Sequence, residues 1–234
     1  MTTNTVPETQ ATPTGAMLRT LGLVSAICGL IIVSSYHGTY TAVQANKKLA
    51  TERAVKSVIP AAKSIAEYWL APGGSPEIAK GGDLPAGTIK FFAGYDAEGK
   101  LNGIAAEGGA KGYADVVRVM YGYSPECQCI NGLSIVSSRE TPGIGDKVDS
   151  SKSNVDKDFM ANFKALDAKL NADKTALANG IKAVKHGTKT NPWQIDAISG
   201  ATITSRAVAN GINDSAKALL PKLVPQLDKI RSKS

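Results

Sequence analysis

The chain has few of the side chains on which hydrolases and metalloenzymes depend. Among its 234 residues there are three cysteines and only two histidines, His37 and His186. Three cysteines form no disulfide framework, and two histidines leave little choice of an imidazole base or a metal ligand. Hydrolase or metalloenzyme chemistry is therefore not expected, and we assign no catalytic residue and no metal site.

The chain also lacks a concentrated block of basic charge. Its net charge of +7 comes from 27 basic and 20 acidic residues that are spread thinly along the sequence. Nucleic-acid-binding proteins usually interleave clustered basic residues with aromatic ones, so nucleic acid is not a predicted partner. Hydrophobic residues at 43% and charged residues at 20% are typical of a globular protein with one sizeable core.

The amino-terminal part of the chain divides into a tail and an apolar segment. Residues 1–16 are rich in Thr and Pro and have Val6 as their only large aliphatic side chain, which predicts a disordered tail. From Thr20 to Asn46 there is no Asp, Glu, Lys or Arg. A helix needs about 20 residues to cross a bilayer, so we predict a transmembrane anchor over residues 17–45.

A cleavable signal peptide is the competing interpretation of the apolar segment. Its densest apolar stretch, residues 21–33, is short, and residues 43–45 resemble a small-residue cleavage site. The charges do not settle the orientation of an anchor. Lys47, Lys48 and Arg53 follow the span, and by themselves they would place the rest of the chain in the cytoplasm.

The rest of the sequence predicts a stalk followed by an α+β domain. Apolar residues recur at helical spacing across Pro60, so we predict a stalk helix and linker over residues 46–86. From Gly87 to Val136, short apolar runs alternate with Gly, Asn and Asp, which indicates antiparallel strands. These runs are residues 88–96, 98–107, 114–123 and 129–138.

Two helices are predicted to flank this sheet. Residues 158–170 place Phe159, Phe163, Leu166 and Leu170 on one helical face. A second helix follows the small residues that end near Ala201. The fold class is therefore α+β, an antiparallel sheet flanked by helices over residues 87–234, with one transmembrane helix at the amino terminus.

A run of small residues comes directly before the second helix. It lies in the segment 196–208, which begins with Asp196 and contains Ser199-Gly200-Ala201-Thr202. Thr204 or Ser205 is predicted to cap it. A helix amino terminus offers free N–H groups and a partial positive charge, which are the requirements for holding a phosphate. A capped helix after a Ser-Gly turn is the alternative that the residues alone leave open.

Residues 196–202 resemble the flavinylation motif of the FMN-binding domain family, Asp-x-x-Ser/Thr-Gly-Ala-Thr. The resemblance implies that Thr202 is esterified by the phosphate of one FMN per chain, which a Mg-dependent flavin transferase installs from FAD. It also implies cofactor-binding roles for the residues around Thr202. These are Asp196, Ser199, Gly200, Ala201, Thr204 and Ser205.

A second segment is similar to the Glu-Thr-Pro-Gly-Leu-Gly loop of the same family, which approaches the flavin. It runs from Ser138 to Lys147 and contains Glu140, Thr141, Gly143 and Gly145, which the resemblance places near the isoalloxazine ring. Two motifs in the family's order, some 50 residues apart, make a chance match improbable.

Within the family, both motifs most resemble the G subunits of the Rnf complex, an ion-translocating ferredoxin:NAD oxidoreductase. The C subunits of Na-translocating NADH:quinone reductases are the close alternative. The resemblance implies a non-autonomous electron carrier with no turnover alone, whose partners are the other membrane and peripheral subunits. It also implies a single-pass protein of the bacterial inner membrane with a periplasmic flavin domain.

The sequence leaves two other functions open. In one, the chain is a membrane-anchored, non-redox assembly or binding module. In the other, the flavin serves a free-standing reductase that acts on a small electron acceptor. Cys127-Gln128-Cys129 could be a redox pair or half of a metal site, but neither is expected. Alternate residues of a strand point to opposite faces, and no second Cys or His cluster completes four ligands.

Overall fold

A computed structural model describes residues 14–79 and 85–232, and the chain divides into two compact units between Leu49 and Ala50. Most of the predicted tail, residues 1–13, lies outside the described residues, whereas residues 14–16 are helical. The division falls inside the segment 46–86 that we predicted as stalk and linker.

Helix α1 spans Thr14–Val58. It is 45 residues long, and its apolar segment carries exposed large hydrophobic side chains from Met17 to Val43. In the described part of the chain it is the one helix that is long and apolar enough to cross a membrane, judged by length and composition. The predicted membrane anchor fits this helix.

A seven-stranded antiparallel sheet forms the centre of the second unit, with the strand order β2-β1-β3-β4-β5-β6-β7. Strands β3 to β6 follow one another as a meander, which the alternation of apolar runs and turns predicted. The strands are β1 (Ser64–Leu70), β2 (Pro76–Ile78), β3 (Ile89–Tyr95), β4 (Leu101–Lys111), β5 (Val116–Ser124), β6 (Cys129–Ser137) and β7 (Leu166–Asp167). The predicted fold class, an antiparallel sheet with flanking helices, is confirmed.

The predicted helix across Pro60 is wrong beyond Val58. Helix α1 ends before Pro60, which has no N–H to continue it, and Ser64–Leu70 becomes strand β1. Tyr68 and Leu70 point into the core at the alternation of a strand, and β1 pairs with β3 over its whole length. The helical spacing of the apolar residues gave the wrong prediction here, because Ile65, Tyr68 and Trp69 are residue types that favour a half-buried strand.

The sheet is covered on both faces. On one face, Ala54, Val55 and Val58 at the end of α1 pack with Phe92 and Met120. Two glycines allow this close approach: a Cβ at Gly122 would lie 2.2 Å from the Val58 carbonyl oxygen, and one at Gly132 would lie 2.8 Å from the Val58 Cα. The other face carries the larger core and the last long helix, α3 (Thr202–Leu223).

The predicted helix 158–170 is shorter than expected. Helix α2 spans only Lys157–Ala161, a 3-10 turn follows at Asn162–Lys164, and Leu166 then pairs with Ile130 as part of the edge strand β7. Phe159, Phe163 and Leu166 are buried as expected, but the second half of the segment pairs with the edge of the sheet and does not continue the helix. A short parallel pair, β8 (Lys182–Val184) and β9 (Gln194–Asp196), then leads to α3.

Cys127 and Cys129 form a disulfide, which the sequence analysis did not expect. The argument from opposite strand faces failed because Cys127 lies in the turn between β5 and β6, before the strand begins at Cys129. Gln128 adopts a positive φ of 52°, a left-handed conformation that turns the chain back between the two cysteines. Cys28 is the free cysteine among the described residues.

Candidate functional site

The small residues of the Asp196 motif form a tight turn between β9 and α3. Gly200 has a φ of +81°, in the left-handed region that glycine adopts without steric cost, and no atom lies within 4 Å of the position of a Cβ on this residue. Ala201 is buried, and its N–H donates to the Ile198 carbonyl over 3.0 Å. This turn leaves open space beside the first residue of the helix.

Helix α3 begins at Thr202 with its first N–H groups free. Its cap residue is Ala201, which makes no side-chain hydrogen bond to the helix. The first bond of the helix runs from the Ser205 N–H to the Ala201 carbonyl. Within the described residues, no acceptor is bonded to the N–H groups of Thr202, Ile203 and Thr204. An uncapped start to a 22-residue helix is a ready site for an anion.

The predicted capping role of Thr204 or Ser205 is wrong, because both lie inside the helix and are buried. The Ser205 hydroxyl donates to the Ala201 carbonyl over 3.0 Å and accepts the Ile198 N–H over 3.0 Å. Ser205 therefore holds the preceding turn against the helix, and its hydroxyl hydrogen is already donated within the protein.

Glu140 reaches the first turn of α3 from the second motif. Its side chain is buried, and its carboxylate accepts hydrogen bonds from the Thr204 hydroxyl (2.5 Å) and from three backbone N–H groups. The backbone donors are Tyr113 (3.2 Å), Ala114 (3.1 Å) and Asp115 (3.5 Å), in the turn between β4 and β5. Both motifs therefore meet at one carboxylate, although Glu140 and Thr204 are 64 residues apart in the chain.

The loop after Glu140 is a compact turn. The Thr141 carbonyl accepts the N–H groups of Ile144 and Gly145, at 3.2 and 3.0 Å. Gly143 has a φ of +76°, which this turn requires. Thr141 and Gly143 are exposed, whereas Gly145 is buried against Glu140. The resemblance placed all four residues near the flavin ring. That placement stays a prediction; within the protein, the Glu140 carboxylate is engaged with backbone and hydroxyl donors.

The hydrogen bonds to Glu140 make the stability of the domain depend on pH. Burial raises the pKa of Glu140, but the bonds from Thr204, Ala114, Tyr113 and Asp115 outweigh burial, so the pKa lies below its ordinary value of 4.5. A carboxyl group with a lowered folded-state pKa stabilises the fold above its unfolded-state pKa. That stabilisation is lost as the pH falls through the folded-state pKa.

Thermal unfolding of the wild type and Glu140→Gln over a pH series tests this expectation. The wild type should exceed the variant in Tm near about pH 7, and the difference should shrink below about pH 4.5. Arg139, next to Glu140 in sequence, forms an exposed ion pair with Asp115 at 3.7 Å, and neither residue is changed in the variant. A Tm difference that is constant across the series would contradict the role of the carboxylate charge.

The Asp196 side chain also binds the loop that follows β8. Its Oδ1 accepts the Gly187 N–H over 2.8 Å, and its Oδ2 lies 3.7 Å from Nδ1 of His186. The buried side chain of Asn162 bonds the backbone of Asp196 on both sides, accepting its N–H at 3.0 Å and donating to its carbonyl at 3.4 Å. Asp196 therefore ties the loop after β8 to the start of the motif.

The structure sorts the predicted site residues into two groups. Ser199, Gly200 and Thr202 are exposed or half-buried at the start of α3, and Thr141 and Gly143 are exposed in the loop after Glu140. Ala201, Thr204, Ser205, Glu140, Gly145 and Asp196 make the internal contacts that hold this end in place. Thr202 is the first residue of the helix, and its hydroxyl has no hydrogen-bond partner in the described part of the chain.

Sequence reasoning missed two residues that support the site. Gly112 lies against Glu140, since a Cβ on it would come 2.5 Å from Oε1, and Asn162 brackets Asp196. The glycine-rich run 108–112 signalled only a hairpin. Nothing in the pattern around Asn162 distinguished it from a surface residue of the predicted helix.

Comparison with known proteins places this geometry in a family. The FMN-binding domain family matches residues 112–217, a range that contains both motifs. Over 200 residues the chain is 26% identical to the G subunit of the ion-translocating oxidoreductase complex of Methanosarcina acetivorans, covering 84% of this chain and 89% of the relative.

A second relative decides the family. Over 199 residues the chain is 30% identical to the G subunit of the Na(+)-translocating ferredoxin:NAD(+) oxidoreductase complex of Acetobacterium woodii, covering 83% of this chain and 86% of the relative. The chain belongs to the G-subunit family of ion-translocating oxidoreductase complexes. The resemblance stated from the two motifs is confirmed.

Solved structures support the same fold. The NqrC protein of Shewanella oneidensis superimposes with a TM-score of 0.55 at 19% identity, covering 78% of this chain and 98% of that one. The C subunit of the Na(+)-translocating NADH-quinone reductase from Parabacteroides distasonis gives a TM-score of 0.56 at 17% identity, covering 83% and 98%. At these identities the two structures establish the architecture alone.

Proposed function

We propose that this chain is an electron-transfer subunit of a membrane ion-translocating oxidoreductase complex and that it carries one FMN, esterified through its phosphate to Thr202. The observation that carries the proposal is the uncapped start of α3, where the Thr202 hydroxyl and three free N–H groups share one open position. Membership of the G-subunit family supports the assignment to a complex and makes the chain a non-autonomous subunit.

The residues at this position suit a phosphoester. The N–H groups of Thr202, Ile203 and Thr204 would hold the non-bridging phosphate oxygens, with the helix dipole adding a favourable field. The turn at Gly200 and Ala201 leaves room for the phosphate beside the helix start. Arg206 lies one turn along the helix and is exposed, and no acidic partner is paired with it in the described residues. FMN supplies the capacity to accept and pass on one or two electrons.

Attachment of FMN requires a second protein. We propose that a flavin transferase forms the bond between the Thr202 oxygen and the FMN phosphorus, with AMP leaving from FAD. Thr202 suits this reaction because it is half-buried at the surface, whereas Thr204 and Ser205 are 2% and 0% exposed. A covalent link would keep FMN on a protein outside the cytoplasm, where lost cofactor is not readily replaced.

We further propose that α1 anchors the chain in the bacterial inner membrane and that the second unit lies on the periplasmic side. The Cys127–Cys129 disulfide supports this side, because disulfides persist in oxidising compartments and are rare in the cytoplasm. Lys47, Lys48 and Arg53 would favour the opposite orientation. We base the proposed orientation on the disulfide rather than on these three charges.

Labelling with a membrane-impermeant maleimide tests the orientation. In a background with Cys28, Cys127 and Cys129 replaced by Ser, Ala97→Cys leaves one thiol in the chain, in the exposed turn between β3 and β4. We expect labelling in intact spheroplasts to equal labelling after lysis. Thr3→Cys, on the opposite side of the span in sequence, is the matched control and should react only after lysis. The reverse pattern would place the second unit in the cytoplasm.

The function itself is tested in membranes that contain the complete complex. We expect reduction of NAD(+) by reduced ferredoxin when the chain is produced together with a flavin transferase, and a loss of at least about tenfold without the transferase. Equal rates in the two preparations would show that the modified chain is not in the electron path, and would favour the non-redox assembly module.

A further inference from the structure

Glu140 lies where three separate segments of the protein meet. Its carboxylate accepts from the β4–β5 turn at Tyr113, Ala114 and Asp115, and from Thr204 in the first turn of α3, while its own backbone begins the loop 140–145. One oxygen, Oε2, accepts both the Tyr113 N–H and the Thr204 hydroxyl. A carboxylate has about four acceptor positions, so protein donors occupy this group fully.

Two glycines allow the three segments to close around the carboxylate. A Cβ on Gly112 would lie 2.5 Å from Oε1 of Glu140, and one on Gly145 would lie 2.8 Å from the Glu140 Cβ and 2.9 Å from the Thr204 Oγ1. Any side chain at either position would force the Glu140 carboxylate or Thr204 to move. The enclosure therefore depends on residues from both loops, and Glu140 is left only 6% exposed.

The segments joined by Glu140 carry exposed apolar side chains. Tyr113 is 70% exposed, Ile144 is 50% exposed and Ile203 is 50% exposed. Each of these residues either contacts Glu140 itself or is next in sequence to a residue that does. Three exposed large hydrophobic residues thus lie on the segments that Glu140 joins, and a change at Glu140 would loosen the contact of the two loops with the first turn of α3.

We propose that Glu140 is a positioning residue: through Thr204 it fixes the first turn of α3 against the loops 112–115 and 140–145, so that Thr202 is presented to the flavin transferase in one orientation. This inference rests on the proposed function. Thr204 lies two residues after Thr202 on the same helical turn, so its hydroxyl is the direct link between the carboxylate and the modified residue. Misplacement of a reacting group by about 1 Å can slow a reaction about a hundredfold.

If Glu140 had a purely structural role, its loss would change the stability of the domain and not the rate at which folded protein is modified. Loss of a buried hydrogen-bonded group would lower the stability of the domain, but the fraction that remains folded would still be modified at the normal rate. The positioning role predicts a slower reaction in protein that is fully folded. The rate of covalent flavin attachment and the thermal stability of the domain must therefore be measured separately.

The test uses the full-length chain in detergent, with purified flavin transferase, FAD and Mg²⁺, and follows covalent flavin over time. Thr204→Val removes the hydroxyl at nearly constant volume, and Thr204→Ser restores it. We expect modification of Thr204→Val to be slower by about tenfold or more, and of Thr204→Ser to stay within about twofold of the wild type. Glu140→Gln should match Thr204→Val, and thermal unfolding verifies that each variant is folded at the assay temperature.

The outcomes separate the two claims. Folded Thr204→Val that is modified at the wild-type rate would overturn the positioning role, whatever its Tm, and would leave the FMN site on Thr202 standing. Failure of Glu140→Gln to fold would leave the Thr204 pair to decide, because Thr204→Val retains the three backbone bonds to Glu140. An unmodified wild type would instead contradict the proposed function itself.

Discussion

Replacing Thr202 by Ala is expected to abolish covalent flavin on this chain. The variant loses the one hydroxyl that stands at the free N–H groups of α3, while the helix, which begins with an uncapped turn, has no side-chain cap to lose. The fold should therefore survive, and the Tm should stay within about 2 °C of the unmodified wild type. Flavin fluorescence of the denatured chain in a gel, after production with a flavin transferase, measures the effect.

Two matched variants make this result specific. Thr202→Ser keeps a hydroxyl at the same position and should retain covalent flavin. Ser199→Ala removes an exposed hydroxyl three residues earlier and should also retain it. Covalent flavin on Thr202→Ala, or its loss in Ser199→Ala, would contradict the assignment and move the attachment to another residue.

Replacing Gly108 by Ala is expected to have a large effect on stability. Helix α3 crosses β4 at this residue so closely that a Cβ would lie 2.2 Å from the Gly211 carbonyl oxygen and 3.2 Å from the Ser215 Cβ. The contact is with backbone, so no side chain can rotate away, and the helix must move off the sheet. We expect a loss of about 3 kcal/mol, or about 6 to 12 °C in Tm.

The neighbouring glycine provides the control for this variant. A Cβ on Gly109 would meet its nearest atoms, in Val116 and Val117, at 3.5 Å, which is ordinary van der Waals contact. Gly109→Ala should therefore change the Tm by no more than about 2 °C. Similar effects of the two substitutions would show that the close crossing of α3 and β4 does not stabilise the fold.

Local patterns predicted the sheet well because each strand of the meander carries its own apolar run and its own turn. Strands β3 to β6 lie where the alternation placed them, and α3 lies where the small residues of the motif lead into an apolar helical face. The segment Ser64–Leu70 was missed because its apolar spacing fits a helix and a strand equally, and only pairing with β3 decides between them. Leu166 was misplaced for the same reason, because only its pairing with Ile130 shows that it belongs to the edge strand β7.

The sequence motifs supplied the candidate residues of the site, but they did not predict which hydrogen bonds these residues make. The motifs identified Glu140, Thr204 and Ser205 as members of the site, and in the structure their hydrogen bonds hold the first turn of α3 against the neighbouring loops. Those bonds join residues up to 64 positions apart, which no local spacing reveals. The disulfide was missed because it requires Gln128 in a left-handed conformation, which is uncommon for a residue other than glycine.

Fragmentation of the flavin-bearing tryptic peptide tests the central claim most directly. The peptide 190–206 contains five hydroxyl side chains, those of Thr190, Ser199, Thr202, Thr204 and Ser205. In the structure Thr190 bonds Gln194, Thr204 bonds Glu140 and Ser205 bonds Ala201, which leaves Ser199 and Thr202 available. The account predicts a mass increase of one FMN less one water, localised to Thr202. An unmodified peptide from chain produced with an active flavin transferase, or FMN localised to any other residue, would contradict it.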